Sequence, residues 1–439
     1  MKKLKITCLL FSIFLLFLFS SCPFFNLFGG QEKEEEEIGE FDDINIFDAS
    51  LLPDWNSFIT RYSIAADKNY LYAVTDGTKE YPGKIIKILK NGESPVIKIL
   101  LEEASKKGYN SSRAYEIESI DYYGNQLILK CVPNKVQFEN CEFEVFCLSS
   151  EDLSVQWRWA PEENSRIDYH GAGHPSIPKW DEYFIIYYTV EEEEGYYLVF
   201  LDSNGKESVK RYIKKSCPIE ESNICIVDNK LLLHQLYEPL IIYDLNKLID
   251  PDYDFEDCVD FAFTNDVYEA NLFSNIVTDG NNAYFCCWKD IDREKSEFAL
   301  MVYAVSLSDY RTHWSYEIID KQFDGVHSIL LDNGKLFLAA DYGCVYCLDS
   351  TNGKLNWKTT ITDAEHPKNL LCEGCIVKDY FVIPCASNGW LYYFDINTGK
   401  IKGKHYIPVF GGNRHCVAED DYLYITTGSY IARLRLKEK

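Results

Sequence analysis

Two cysteine pairs, Cys344-x-x-Cys347 and Cys372-x-x-Cys375, have the spacing of a zinc ribbon, in which four thiolates close a tetrahedron around one ion. The first pair, however, lies in an apolar run, Cys344-Val345-Tyr346-Cys347-Leu348, that reads as a strand. Residues i and i+3 of a strand point to opposite faces, so that pair cannot reach one ion. His170-x-x-x-His174 lies in a Gly-rich loop where nothing fixes both rings toward a metal. Asp250-Pro251-Asp252-Tyr253-Asp254-Phe255-Glu256 alternates carboxylates as a calcium loop does, but Phe255 stands where the turn needs Gly, and Phe261 where the bidentate Glu belongs. No phosphate-binding Gly-rich loop, nucleophile elbow or His-Glu-x-x-His run occurs. The reading is a protein that is not an enzyme, with no catalytic residues, metal or cofactor.

The surrounding elements are strands. Aromatics make up 15% of the 439 residues, with 32 Tyr, and the apolar runs are short and rich in Ile, Tyr, Phe and Val. Lys+Arg 44 against Asp+Glu 69 gives a net charge of −25, which repels phosphate backbones and anionic headgroups and excludes nucleic acid as a partner.

At the N-terminus, Lys2, Lys3 and Lys5 precede an apolar run from Ile6 to Phe19, then Ser20-Ser21-Cys22. The run is shorter than the roughly 20 residues a spanning helix needs. Leu18-Phe19-Ser20-Ser21-Cys22 resembles a bacterial lipobox, with Phe19 in place of the usual Leu. The resemblance implies a signal peptide over 1–21 and lipidation of Cys22, the alternative being an uncleaved signal anchor. Either places the globular part outside the cytoplasm, tied to a membrane and facing the periplasm or the cell surface. Residues 22–43, with Glu34 to Glu37, read as an acidic tether.

The remainder, 44–439, is repetitive. Val145-Phe146-Cys147-Leu148-Ser149 leads to Trp157, Val302-Tyr303-Ala304-Val305-Ser306 to Trp314, and Val345-Tyr346-Cys347-Leu348-Asp349 to Trp357, at one constant spacing. Asn352-Gly353-Lys354 and Thr398-Gly399-Lys400 mark tight hairpin turns. A second unit, a polar turn followed by an aromatic-rich strand, recurs eight times, from Asp67-Lys68-Asn69-Tyr70 to Asp420-Asp421-Tyr422-Leu423. Successive copies lie about 42 to 57 residues apart, the size of a four-stranded propeller blade.

Over roughly residues 60 to 436 this pattern resembles the PQQ-like repeat of quinoprotein-type β-propellers, most specifically at Asp341 to Trp357 and Ser387 to Lys400. The resemblance implies an all-β propeller of about eight four-stranded blades, seven being the alternative, with Trp157, Trp314 and Trp357 as structural residues that pack between blades. The last copy lacks a fourth strand, which Ile44 to Thr60 would supply to close the ring.

Of the sixteen cysteines, Cys147 and Cys347 take the slot that Ala304 holds in its copy, and Cys131, Cys225, Cys286, Cys287 and Cys385 lie in or beside apolar strands. They read as small buried hydrophobes with free thiols. Cys286-Cys287 is similar to the vicinal disulfide lying over the quinone in PQQ-dependent alcohol dehydrogenases, but sits in a strand whose pleat splays the two side chains apart.

The function this leaves is a monomeric, lipid-anchored scaffold that binds another cell-envelope protein. In fold and anchoring it resembles the accessory subunit of the outer-membrane β-barrel assembly machine. The alternatives are a PQQ-dependent dehydrogenase-like quinoprotein and a surface-exposed binder of host molecules or glycans. His174, His327 and His415 each precede an innermost strand, so that with Arg414 and Gly411-Gly412-Asn413 they form the candidate partner face at the ring's mouth.

Overall fold

The structure is a computed structural model and describes residues 41–48, 59–75, 83–90, 96–100, 102–103, 115–133, 143–161, 165–166, 177–190, 195–214, 223–234, 240–263, 267–270, 275–292, 297–318, 325–340, 343–362, 373–385, 389–406, 414–419, 421–427 and 430–436. Its strands form eight antiparallel sheets, the blades of a β-propeller.

Blade 1 comprises Ile59–Ala66, Tyr70–Thr75, Lys84–Leu89 and Val96–Ile99; blade 2 comprises Tyr115–Tyr123, Gln126–Pro133, Glu144–Ser149 and Val155–Trp159. In blade 3, two short pieces, Ser165–Arg166 and Lys179–Trp180, share the first position beside Tyr183–Val190, Gly195–Leu201 and Glu207–Lys214. Blade 4 is Asn223–Val227, Lys230–His234, Leu240–Asp244 and Val259–Phe263. Blade 5 again splits its first position, into Val267–Ala270 and Val277–Thr278, before Asn282–Asp292, Glu297–Ser306 and Thr312–Ile318. Blade 6 is Val326–Asp332, Lys335–Ala340, Cys344–Asp349 and Leu355–Thr360; blade 7 is Cys375–Val377, Tyr380–Pro384, Trp390–Asp395 and Ile401–Tyr406. Blade 8 takes Arg414–Glu419, Tyr422–Thr427 and Tyr430–Leu436 from the end of the chain and Phe41–Asp48 from its beginning.

The closing strand therefore starts at Phe41, inside the stretch assigned to the tether, and ends at Asp48. It pairs from Phe41↔Leu436 to Asp48↔Tyr430. Ile59–Ala66, part of which falls in the segment expected to close the ring, is instead the first strand of blade 1. First strands of neighbouring blades lie side by side, Ile59–Ala66 touching both Tyr115–Tyr123 and Arg414–Glu419, which puts them at the centre of the ring.

The core is divided among eight clusters, each drawn from two consecutive blades. In blade 6, Leu336, Leu338 and Ala340 pack toward blade 5, whereas Phe337 and Ala339 pack toward blade 7. A strand buried on both faces needs apolar residues at every position, which is why Leu336-Phe337-Leu338-Ala339-Ala340 runs without alternation. Leu336, Phe337 and Leu338, fully buried, each contribute about 1.5–3 kcal/mol. The last cluster joins Ile64, Leu71, Ala73 and Ile86 of blade 1 to Tyr424 and Ile431 of blade 8. That cluster completes the circle.

Within blades, polar turns set the register. Asn333 and Gly334, at φ 45° and 73°, make the tight hairpin before Lys335. Blade 4 departs from the pattern: Asp244 accepts from the Asn246 and Lys247 backbone N–H groups and starts a short helix, Leu245–Ile249, followed by a 3-10 turn over Phe255–Cys258. The alternating carboxylates at Asp250 to Glu256 fall in this insertion.

Candidate functional site

Each of the three expected tryptophans leaves the fourth strand of its blade and reaches the third-to-fourth-strand turn of the next. The Trp157 indole N–H donates to the Ser203 carbonyl at 2.9 Å, Trp314 to Ser350 at 2.8 Å, and Trp357 to Ile396 at 3.2 Å. In register, the rings stand opposite Cys147, Ala304 and Cys347. A small residue there leaves room for the indole, which explains why cysteine and alanine interchange at that slot.

The receiving turns are shaped for an aromatic face. Gly205, Gly353 and Gly399 sit at φ 77°, 70° and 67°, and a Cβ on Gly205 or Gly353 would come within 2.5 Å of the indole, and no farther from it on Gly399. Trp157 and Trp357 are buried, while Trp314 is half-buried.

Where the tryptophan is missing, its hydrogen bond is often made from another position. Blade 2 has Leu153 at φ 60° where blades 3, 6 and 7 have Gly, so no indole can lie on that turn. Lys87, on the third strand of blade 1, instead donates to the Ser150 and Glu151 carbonyls at 2.6 and 2.7 Å, its ammonium 3.9 Å over the Tyr70 ring. Desolvation lowers its pKa, against the pull of Asp67, Glu151 and Asp152. Arg433, on the third strand of blade 8, donates to the Lys90 carbonyl, the corresponding atom of blade 1. In blade 4, Phe261 holds the tryptophan register and stacks at 5.4 Å on Tyr310, the φ 58° residue of blade 5's turn. Blade 3 uses Arg211, which donates to the Leu248 and Asp250 carbonyls of the blade 4 insertion. Blade 7 has Gly403 in the slot. Its neighbour, blade 8, draws its fourth strand from Phe41–Asp48, so no turn joins its third and fourth strands to receive an indole.

The cysteines with suggestive spacing face different junctions. Cys286 packs between blades 5 and 6 and Cys287 between blades 4 and 5, so the adjacent sulfurs do not share a face. Cys344 and Cys347 likewise divide between the 5–6 and 6–7 junctions. This does not fit a disulfide laid over a quinone. Eleven described cysteines are free. Desolvation pushes the Cys147 thiol up to about 12 and Cys225 to about 11. Such thiols are poor nucleophiles. Among the described residues, no group of three His, Cys, Asp or Glu converges as a metal site.

Of the candidate partner face, His174 and Gly411-Gly412-Asn413 lie outside the described residues, as do Cys22, His170 and Cys372. His327 is half-buried as the second residue of blade 6's first strand, and Arg414 and His415 open blade 8's first strand, in register with Thr427 and Thr426. These strand starts share one end of the ring, on blades separated by blade 7. No helix among the described residues is long and apolar enough to cross a membrane.

No protein-family model matches the chain, and no curated protein matches its sequence. Among solved structures, the chain is similar to BamB from Moraxella catarrhalis, with a TM-score of 0.56 and 10% identity over 90% of this chain and 99% of that one. It is similar to Sqt1 from Saccharomyces cerevisiae, with 0.58 and 10% over 90% and 98%. The quinohemoprotein alcohol dehydrogenase ADHIIG from Pseudomonas putida HK5 gives 0.54 and 8% over 92% and 77%. These likenesses show the fold.

Proposed function

We propose that the chain is a non-catalytic propeller scaffold, lipid-anchored through Cys22, which binds another cell-envelope protein and serves outer-membrane protein assembly. The observation that carries this reading is the structural commitment of the side chains that chemistry would need. The cysteines open into separate blade junctions, and Trp157, Trp314, Trp357, Lys87, Arg211 and Arg433 hold one blade to the next. What varies over such a frame is its loops, where binding residues concentrate. The similarity to BamB along nearly the whole of both chains supports the same reading at the level of fold.

In this reading the partner meets the mouth where His174, His327, Arg414 and His415 begin or precede first strands. Replacing Arg414 and His327 together by Ala should weaken partner capture from native membranes, with a circular dichroism melt establishing that the double variant is folded. Capture that survives the double change excludes this mouth.

A further inference from the structure

The fourth strands of blades 3 and 7 share one pattern. Tyr212 follows the turn residue Gly205 by seven positions and Tyr406 follows Gly399 by seven, each with a lysine, Lys210 or Lys404, two residues before it. In register, Tyr212 stands opposite Tyr197, and Tyr406 opposite Trp390. The facing rings meet at 5.1 Å in blade 3 and 5.2 Å in blade 7. The Lys210 ammonium lies 4.5 Å over Tyr197, and that of Lys404 lies 4.1 Å over Trp390. Both sites lean on the preceding blade, Tyr197 packing into the junction of blades 2 and 3 and Trp390 into that of blades 6 and 7.

The tyrosine, rather than the lysine, sets these two blades apart. Counted from the positive-φ turn residue, Arg158 of blade 2 and Lys358 of blade 6 hold the lysine position, whereas the tyrosine position holds Ala160 in blade 2, Glu317 in blade 5 and Thr360 in blade 6. Tyr212 is 36% exposed and Tyr406 49%, so two of the five large hydrophobic side chains exposed among the described residues occupy this one position. Three blades separate blade 3 from blade 7 whichever way the ring is followed, which puts the two sites a half-turn apart. Strand direction alternates within a blade, so fourth strands end where first strands begin. Both tyrosines therefore stand on the outer rim of the mouth at which His327 and Arg414 begin their strands.

An exposed tyrosine seated on a second ring offers rigid contact area at low entropic cost, and such aromatics anchor protein interfaces. The ammonium beside it favours a carboxylate on the incoming group. We infer that the sites on blades 3 and 7 receive two copies of one partner segment, an aromatic side chain flanked by carboxylates. The aromatic ring lies against Tyr212 or Tyr406, and a carboxylate meets Lys210 or Lys404. A partner that presents the segment twice, as a homodimer does about its twofold axis, covers the mouth between the two sites. The inference rests on the scaffold reading and adds to it the partner's symmetry and the chemistry of its contact.

The test is isothermal titration calorimetry of the full chain with the acetylated and amidated peptide Glu-Phe-Glu-Phe-Glu, beside its counterpart with Lys for every Glu. Two acidic peptides should bind per chain, more weakly as salt is added. Tyr212→Ser and Tyr406→Ser should each reduce the stoichiometry to one, and the two together should abolish binding. Lys210→Glu combined with Lys404→Glu should weaken both sites roughly tenfold. Lys358→Glu on blade 6, whose ammonium lies over Tyr346 in the junction of blades 5 and 6, should leave both unchanged. Circular dichroism melts establish that each variant is folded. No binding, one peptide per chain, equal binding of the basic peptide, or a stoichiometry that neither tyrosine changes overturns the inference. If an envelope protein crosslinks to the ring mouth while the peptide ignores both tyrosines, the scaffold reading stands without these sites; if no envelope protein crosslinks at all, that reading itself falls.

Discussion

Trp314 of blade 5 lies against Gly353 of blade 6, so close that a Cβ on the glycine would stand 2.5 Å from the indole. The same turn, three residues earlier at Ser350, accepts the indole N–H through its backbone carbonyl. The tryptophan of one blade and the glycine of the next are therefore one feature, although they belong to different repeats.

Trp157→Ala and Trp357→Ala should each cost about 3–5 kcal/mol, the penalty for emptying a buried aromatic site, and Trp314→Ala less because that ring is half-buried. Gly353→Ala should destabilise the native chain through both its φ of 70° and the clash. In the Trp314→Ala background the clash is gone, so a double-mutant cycle by urea denaturation should show coupling of about 0.5–3 kcal/mol. Additive losses would mean that the two residues do not meet.

Lys87→Met removes the donor of two turn carbonyls, one of which also accepts from the Tyr72 hydroxyl at 3.3 Å. The expected loss is about 1–3 kcal/mol, measured by the same denaturation. Restoring Gly at Leu153 alone should not recover it, since no indole is present to occupy the space.

Burial, reinforced by the Asp279 carboxylate that accepts its O–H at 2.8 Å, holds the Tyr284 phenol up at about 12, above its ordinary 10. An acid whose folded pKa is raised contributes stability that is whole below 10 and is lost as the pH climbs toward 12. Tyr284→Phe should lower stability at pH 7 and flatten its decline between pH 10 and 12, followed by circular dichroism. An unchanged slope would place the alkaline transition elsewhere, with Tyr243, also raised by burial, the next residue to test.

Cys147 and Cys225, with thiols pushed up by burial, should resist iodoacetamide at pH 8 in the folded chain and react fully in guanidinium. Peptide mapping by mass spectrometry reads both states. Rapid labelling of Cys147 in the folded chain would contradict its place in the junction between blades 2 and 3.

For the anchor, the full chain expressed in a lipoprotein-processing bacterium should incorporate labelled palmitate, and Cys22→Ala should abolish incorporation. Retained size and membrane association in the variant, with no label in either, would favour an uncleaved signal anchor.

The blades were legible because their signals are local: a continuous apolar run for a strand buried on two faces, a Gly turn, and a tryptophan at fixed spacing from a Val-Tyr-x-Leu segment. The substitutes were not. Lys87 and Arg433 sit on third strands, and nothing near them in sequence names the carbonyl they reach, which belongs to the next blade. The split first strands of blades 3 and 5 are two-residue and four-residue pieces, too short to carry a period. The boundary of the closing strand was misplaced because Phe41-Asp42-Asp43 is as acidic as the tether before it, and only its pairing with Tyr430–Leu436 distinguishes it. His327 and Arg414 could be aligned to strand starts by sequence, because the polar turn that follows each strand is a local signal.

The central claim, a scaffold for an envelope protein, is tested most directly by placing a photocrosslinking amino acid at His327, irradiating native membranes, and identifying the adduct by mass spectrometry. The account predicts one dominant adduct with another cell-envelope protein, absent when the crosslinker is moved to exposed Val96 on blade 1. No adduct, or the same adducts from both positions, would contradict it.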